Sequence, residues 1–458
     1  MKRRPQRITA IVPLLILSLL ASLGIAVSPA QATASKATFK PVKRTGHAIY
    51  FAPRTKRADA VRSATVRLHN WRTGANRVRR VSVTRVRAAA KRRTRLRVKS
   101  PRRVAGRLKI KITHSGNADG AGGGPGGENC DVGAFSGLNP PSACWRPYAE
   151  TSPFNREVPA NPRLLSNSTA IVDRLVGWGD VQDLTAGHSE SNGDWWHPIY
   201  YAQPGDPLYT VKCTRWVSSC EVHGDLVPIP AKAKPASAGD GHMTVIDQTS
   251  GVEYDFWQVH SKPAGGGTLE ISHGGKTLIG GDGLGSNATA AHFGLAAGII
   301  RGEEMLAGEI NHALFSQIKC SSGEAVYPAA PGTSAAPCTT FGLSNKDAPP
   351  LGSRLWLAMS EAQINALAVP PWKKTILRAM ANYGVIIGDT MNGNSSWGIQ
   401  AESGASYTSF GAKDPWDTVG EQAGAPPYSG GFVFDVDKGI DWGRYLRVLD
   451  PCVSKGTC

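Results

Sequence analysis

Near the middle of the chain two runs, Gly239–Asp247 and Glu253–Gln258, alternate along their length, with the turn-rich Gln248-Thr249-Ser250-Gly251 between them. That pattern predicts a β-hairpin. With a side-chain period of two, His242, Thr244 and Ile246 share one face of the first strand and Asp247 falls on the other. Ala64–His69, Thr94–Lys99 and Arg107–Ile112 alternate apolar with basic residues, as strands with one wet face do. Glu309–Phe315, which carries His312, also alternates as a strand. Helix signals are few. One helix opens at Asn167-Ser168 and runs over Thr169–Val176. Ser360-Glu361-Ala362-Gln363 is a capping box before Ile364–Ala368. Pro371 starts a further helix, continued by Lys374–Tyr383 and closed by Gly384. Glu303 and Glu304, after Arg301, begin a short exposed helix. The predicted class is mainly β: a β-sandwich or jelly-roll-like main domain with a few peripheral helices, preceded by a small basic β domain.

Charge divides the chain. Residues 41–113 hold 24 Lys and Arg against one acid, Asp59, whereas 114–458 hold 22 basic and 34 acidic residues. The net +17 therefore joins two bodies of opposite sign. Residues 1–34 read as an export signal: Lys2, Arg3, Arg4 and Arg7, then the apolar Ile8–Val27, then small residues at Ala30-Gln31-Ala32 or Ala32-Thr33-Ala34. The apolar run is also long enough to serve as an uncleaved anchor. No later segment holds the ~20 apolar residues that a span needs, so the mature chain is expected to have no transmembrane span. Residues 35–114 then form the basic β-rich domain, 115–129 a Gly-rich linker and 130–458 the main domain. A dense cationic face in an exported protein suits an anionic cell-wall polymer, lipid head groups or an acidic polysaccharide. Nucleic acid is not favoured, because the region has a single Trp and lacks interleaved stacking aromatics.

The eight cysteines fall as local pairs: Cys130 with Cys144, Cys213 with Cys220, Cys320 with Cys338, and Cys452 with Cys458. In an exported chain an even count reads as disulfides. A zinc site is the rival, but no C-x-x-C or regular Cys/His spacing supports it. Neither a metal nor another cofactor is expected.

For chemistry, His242 and His312 are the strand-borne histidine candidates, and Asp255 and Asp389 the carboxylate candidates. Asp389 ends the apolar run Val385–Gly388. Histidine and carboxylate on facing strands form an acid/base set, and paired carboxylates across a groove suit glycoside hydrolysis. Histidine with Tyr254 or Arg301 suits β-elimination from a uronic acid. Arg354 would hold an anionic sugar group. No G-x-S-x-G supports a serine hydrolase, and Gly280–Gly285 lacks the strand-then-helix frame of a phosphate cradle. Eleven of the twelve Trp follow residue 130. Trp196, in the cluster Trp195–Tyr201, and Trp257 are the aromatic candidates for a sugar face.

Several of these segments together resemble a group of secreted bacterial proteins of actinobacterial type. The pattern runs from Ser152-Pro153-Phe154-Asn155 and Pro159-Ala160-Asn161 through Gly239-Asp240-x-His242 and Val245-Ile246-Asp247 to Tyr254-Asp255. It continues with Gly298–Arg301 and Glu304, then Gly308-x-Ile310-x-His312-Ala313-Leu314. Pro349-Pro350-Leu351-Gly352-x-Arg354, Tyr383-Gly384-x-Ile386-Ile387-x-Asp389 and Trp397 complete it. It covers most of 150–420 and excludes the basic domain. Where related chains carry a longer loop, this one reads Ser286–His292. The resemblance implies an extracellular, carbohydrate-directed protein and names no reaction. The resulting expectation is a polysaccharide hydrolase or lyase with His242, His312, Asp255 and Asp389 as its site. The competing expectation is a non-catalytic carbohydrate- or envelope-binding protein in which the same residues are core hydrogen-bonders.

Overall fold

A computed structural model describes residues 130, 132–133, 135–190, 193–333 and 336–458, together with six strand segments between 39 and 111. The proposed export segment 1–34 and linker 115–129 lie outside the described residues. The chain divides between Gly124 and Pro125 into two compact units.

In the first unit, β1 (Phe39–Thr45), β2 (Ala48–Pro53) and β5 (Leu96–Lys99) form one three-stranded antiparallel sheet, ordered β1-β2-β5. A second antiparallel sheet is ordered β4 (Asn76–Ser82), β3 (Ser63–His69), β6 (Leu108–Lys111). Strands β3, β5 and β6 coincide with the three runs in which basic and apolar residues alternate.

The second unit is built on two mixed sheets. The larger has the order β10 (Leu226–Pro228), β9 (Leu208–Cys213), β13 (Gly267–Leu278), β12 (Val252–Ser261), β11 (Met243–Asp247), β8 (Ile199–Ala202). Strands β11 and β12 are the anticipated hairpin, with Thr244 opposite Asp255 and Ile246 opposite Glu253. Asp247 caps its turn, accepting from the Thr249 amide (2.9 Å) and the Ser250 hydroxyl (2.6 Å). Alternation separates the two faces of the sheet. Met243, Val245, Phe256, Leu269 and Ile271 pack into one apolar cluster, while Ile199, Tyr201 and Ile246 enter a larger one.

The same larger cluster takes in Leu314, Phe315, Leu355, Ile386 and Ile387 from the second sheet, so one core joins both sheets. That sheet is ordered β17 (Trp397–Ile399), β14 (Leu314–Ile318), β16 (Val385–Thr390), β15 (Arg354–Leu357), β20 (Leu446–Leu449). Pairs β8–β11, β9–β13 and β14–β16 are parallel, a feature that alternation along single strands does not disclose. A third, antiparallel sheet joins β7 (Leu184–Gly187), β19 (Gly431–Phe434) and β18 (Pro427–Tyr428).

The helices follow their end signals. α1 spans Ser168–Gly177. α3 (Glu361–Ala366) carries the capping box, its Ser360 hydroxyl accepting from the Gln363 amide. α4 (Pro371–Asn382) begins at Pro371, and Gly384 follows it at φ 75°. α2 (Gly302–Ala307) is the short helix after Arg301, but Glu304 is fully buried, where exposure was expected. The strand anticipated over Glu309–Phe315 begins only at Leu314. The reason lies upstream: α2 ends in a left-handed cap at Gly308, and the following bend brings the chain into register with β16 at Leu314 opposite Val385. His312 sits in that bend.

All four local cysteine pairs are disulfides, with separations of 14, 7, 18 and 6 residues. Among the described residues no helix is long and apolar enough to cross a membrane.

Candidate active site

A cleft of about 1150 Å³ opens in the second unit where the ends of the two large sheets meet. His242 reaches it from the residue before β11, Trp257 and His273 from β12 and β13, and Gln317 and Asp389 from β14 and β16. Trp195 and Trp216 stand at its rim, 52% and 59% exposed.

A bulge aims Asp389. In the parallel pair β14–β16, Ser316 faces Ile387 and the very next residue, Gln317, faces Asp389, so Gly388 is the extra residue. An extra residue reverses the face on which later side chains emerge. A Cβ at Gly388 would lie 2.1 Å from the Phe315 ring, so only glycine fits. The Gly388 carbonyl accepts from the Ala291 amide at 3.0 Å. The Asp389 carboxylate accepts from the amides of Thr390 (2.7 Å) and Ala290 (3.4 Å). Burial pushes the acid up to about 6 against these two amides, and the charge of Asp240 adds to the rise.

His242 is held differently. Gly241 adopts φ 42°, and the Asp240 and Gly241 carbonyls accept from the Gln258 and Val259 amides, extending the hairpin to the edge of the cleft. The His242 ring lies 4.6 Å from that of His197, centroid to centroid. His197 Nδ1 bonds the Leu295 carbonyl at 3.1 Å. His197 Nε2 and His242 Nδ1 are buried and have no hydrogen-bond partner among the described residues. Burial lowers His242 to about 4 and His197 to about 3, the second helped by its neighbour. Both imidazoles are therefore neutral at neutral pH. Beside them Asp240 accepts from the Trp257 indole at 3.1 Å.

The other anticipated residues lie elsewhere. His312 is buried in an ionic network: Nδ1 meets its neighbour Ala313's carbonyl at 2.9 Å, and Nε2 meets Glu304 at 3.2 and 3.3 Å. Arg301 completes this network, bonding Glu304 (2.9 Å) and the Trp145 carbonyl (2.6 Å). Burial would raise Glu304, but Arg301 and His312 outweigh it and hold the carboxyl at about 2. Asp255 is also enclosed, accepting from Thr244 (3.1 Å) and Ser286 (2.6 Å) next to Glu253, which Tyr148 bonds at 2.7 Å. The Arg354 guanidinium is buried and donates to the Tyr383 and Arg156 carbonyls. Tyr254 is half-buried on the opposite face of β12, packed against the smaller cluster. Of the nine anticipated residues, His242, Asp389, Trp257 and Trp196 line the cleft. Trp196 is almost wholly buried, its indole donating to Thr185 at 2.8 Å.

No protein-family model, curated protein or solved structure matches this chain.

Sequence reasoning passed over three members of the site. His197 follows the Trp195-Trp196 doublet, and Asp240 stands two residues before His242. Trp216 sits inside the tight Cys213–Cys220 ring.

Proposed function

We propose that this is a secreted polysaccharide hydrolase whose acid/base pair is Asp389 and His242. The observation that carries the reading is their convergence in one open cleft rimmed by indoles. In this reading the protonated Asp389 carboxyl delivers its proton to the glycosidic oxygen as the bond to the anomeric carbon breaks. A water attacks that carbon and loses its proton to His242. Protons then return through solvent. His197 packs against the His242 ring at the edge of the cleft, and Asp240 adds negative charge to the cleft in which an oxocarbenium ion develops.

Elimination from a uronic acid is less well supported. It calls for a cation to neutralise the sugar carboxylate, and the described residues lining the cleft include Asp183, Asp240 and Asp389 but neither Lys nor Arg. Four disulfides and the charged segment before residue 34 support export, as does the resemblance to secreted actinobacterial-type proteins. Within this reading the second unit is a sandwich- or jelly-roll-like catalytic body. The basic first unit holds it to an anionic cell-wall polymer.

The test is release of reducing ends from a panel of plant, microbial and cell-wall polysaccharides by the full chain, beside His242→Ala and Asp389→Asn. New reducing ends that both variants lose support the assignment. Unsaturated uronate in the products would mean a lyase, and retention without cleavage of any polymer would mean a binding protein.

A further inference from the structure

Resting on that reading, we infer that Trp216 and Trp257 form a sugar-stacking platform and that the cleft takes an uncharged glycan. The two indoles line the cleft almost parallel, 9° apart with centroids 5.9 Å from one another. Flat apolar rings with a polar edge match the axial C–H face of a pyranose. Trp216 is 59% exposed and has φ 44°, a conformation that a bulky residue rarely adopts. It is held there within the eight-residue ring closed by Cys213–Cys220. The Thr214 and Arg215 amides, bonded to the Ile271 and Ser272 carbonyls at 2.9 Å each, anchor the ring to β13. The indole stacks on Trp257, meets the edge of His273 at 5.6 Å and lies under Arg215, so a ring that is still 59% exposed is held in place by neighbours at the cleft.

Trp195 packs over Gly239, and Trp257 bonds the adjacent Asp240, so one turn brings an indole from each side. Beyond the rings the lining is amide-rich, with Gln182, Asn287, Gln317 and Gln400, and its charged members are aspartates. Such a surface offers donors and acceptors to hydroxyl or acetamido groups and repels carboxylate, sulfate and phosphate. Arg215 is a cation beside the platform. Its guanidinium lies 5.0 and 5.6 Å from the centroids of Trp216 and Trp257 and is not among the residues lining the cleft.

The test uses full-length Asp389→Asn, so that binding is read without turnover, in affinity electrophoresis through a neutral β-glucan, a xylan, soluble chitin oligomers and polygalacturonate. Runs at about 0.5 M salt screen charge attraction to a few ångström, which separates the cleft from the basic unit. Retention by at least one neutral polymer is expected to survive salt. Adding Trp216→Ala should weaken it about tenfold or more, as loss of an exposed aromatic anchor does, while Trp216→Phe keeps most of it. Equal retention with Trp216→Ala, no neutral polymer retained, or salt-resistant retention by polygalacturonate would overturn the inference. Binding through Trp216 with no cleavage by the unmutated chain would defeat the hydrolase reading and leave the platform standing. Cleavage that Trp216→Ala does not affect would defeat the platform alone.

Discussion

His242 and His312 look alike in the sequence: each follows a polar or small residue and precedes an apolar run. In the fold they are opposites. Both ring nitrogens of His312 are engaged, and the Glu304 carboxylate beside it is held at about 2 by Arg301 and His312 despite its burial. His242 keeps a buried nitrogen without a hydrogen-bond partner among the described residues and is lowered to about 4, while Asp389 in the same cleft is raised to about 6. A satisfied buried network fixes structure. Groups whose affinities for protons have been reversed, so that the carboxyl holds its proton where the imidazole has lost its own, and which a ligand can reach, are suited to act as acid and base. The difference shows that burial alone does not mark a site. What distinguishes the two histidines is whether the partners are already taken.

Substitutions sharpen this contrast. Asp389→Asn and His242→Ala should each lower kcat/KM about 10²–10⁴-fold, without the large loss of stability, read from denaturant curves, that breaking a buried ion pair brings. Glu304→Gln should do the reverse. Leaving Arg301 and His312 without their anion costs about 3–5 kcal/mol, and the folded fraction keeps its turnover. Equal loss of activity in both classes of variant would erase the distinction.

The pH dependence is the next largest effect. Activity needs Asp389 protonated and His242 neutral, so kcat/KM should rise through about pH 4 and fall through about pH 6. Stability should respond with opposite signs at the two places. Glu304 has a folded pKa of about 2 against an ordinary 4.5. Its contribution, ~3 kcal/mol, is full above the ordinary value and is lost as pH falls through 2. Asp389 is raised instead, from 3.8 to about 6. The folded state has no penalty while both states are protonated and acquires it as pH rises from 4 to 6. Because the carboxyl opens on cleft water, about 1–2 kcal/mol is expected. Asp389→Asn should therefore match the unmutated chain at pH 4 and exceed it in melting temperature at pH 7. The smallest effect belongs to Tyr254→Phe. On the far face of β12 it should change activity by about twofold or less, and a larger loss would mean that the cleft is not the working surface.

Much of the local structure was legible because it is encoded locally. The hairpin at Asp247–Gly251, the capping box at Ser360 and the proline start at Pro371 each rest on neighbours a few residues apart. The site was half legible. His242 and Asp389 could be singled out as polar residues in apolar surroundings, but their meeting depends on two sheets sharing one core and on a bulge at Gly388. Both are set by contacts far apart in sequence. Asp255 and His312 drew attention for the same reason, yet Ser286 and Tyr148, which enclose the first network, and Trp145, whose carbonyl holds Arg301 in the second, come from distant segments. Arg354 reads as a free cation until the Tyr383 and Arg156 carbonyls are placed around it.

The four disulfides carry a consequence for how the molecule is made. Each joins cysteines 6 to 18 residues apart and none crosses another along the chain. As a chain emerges progressively, each cysteine meets its proper partner before the next pair has appeared. The roughly hundred pairings that eight cysteines allow are then never in competition at once. Each ring is accordingly closed within its own short stretch of chain, so that a correct pairing does not depend on the sheets having first brought distant segments together.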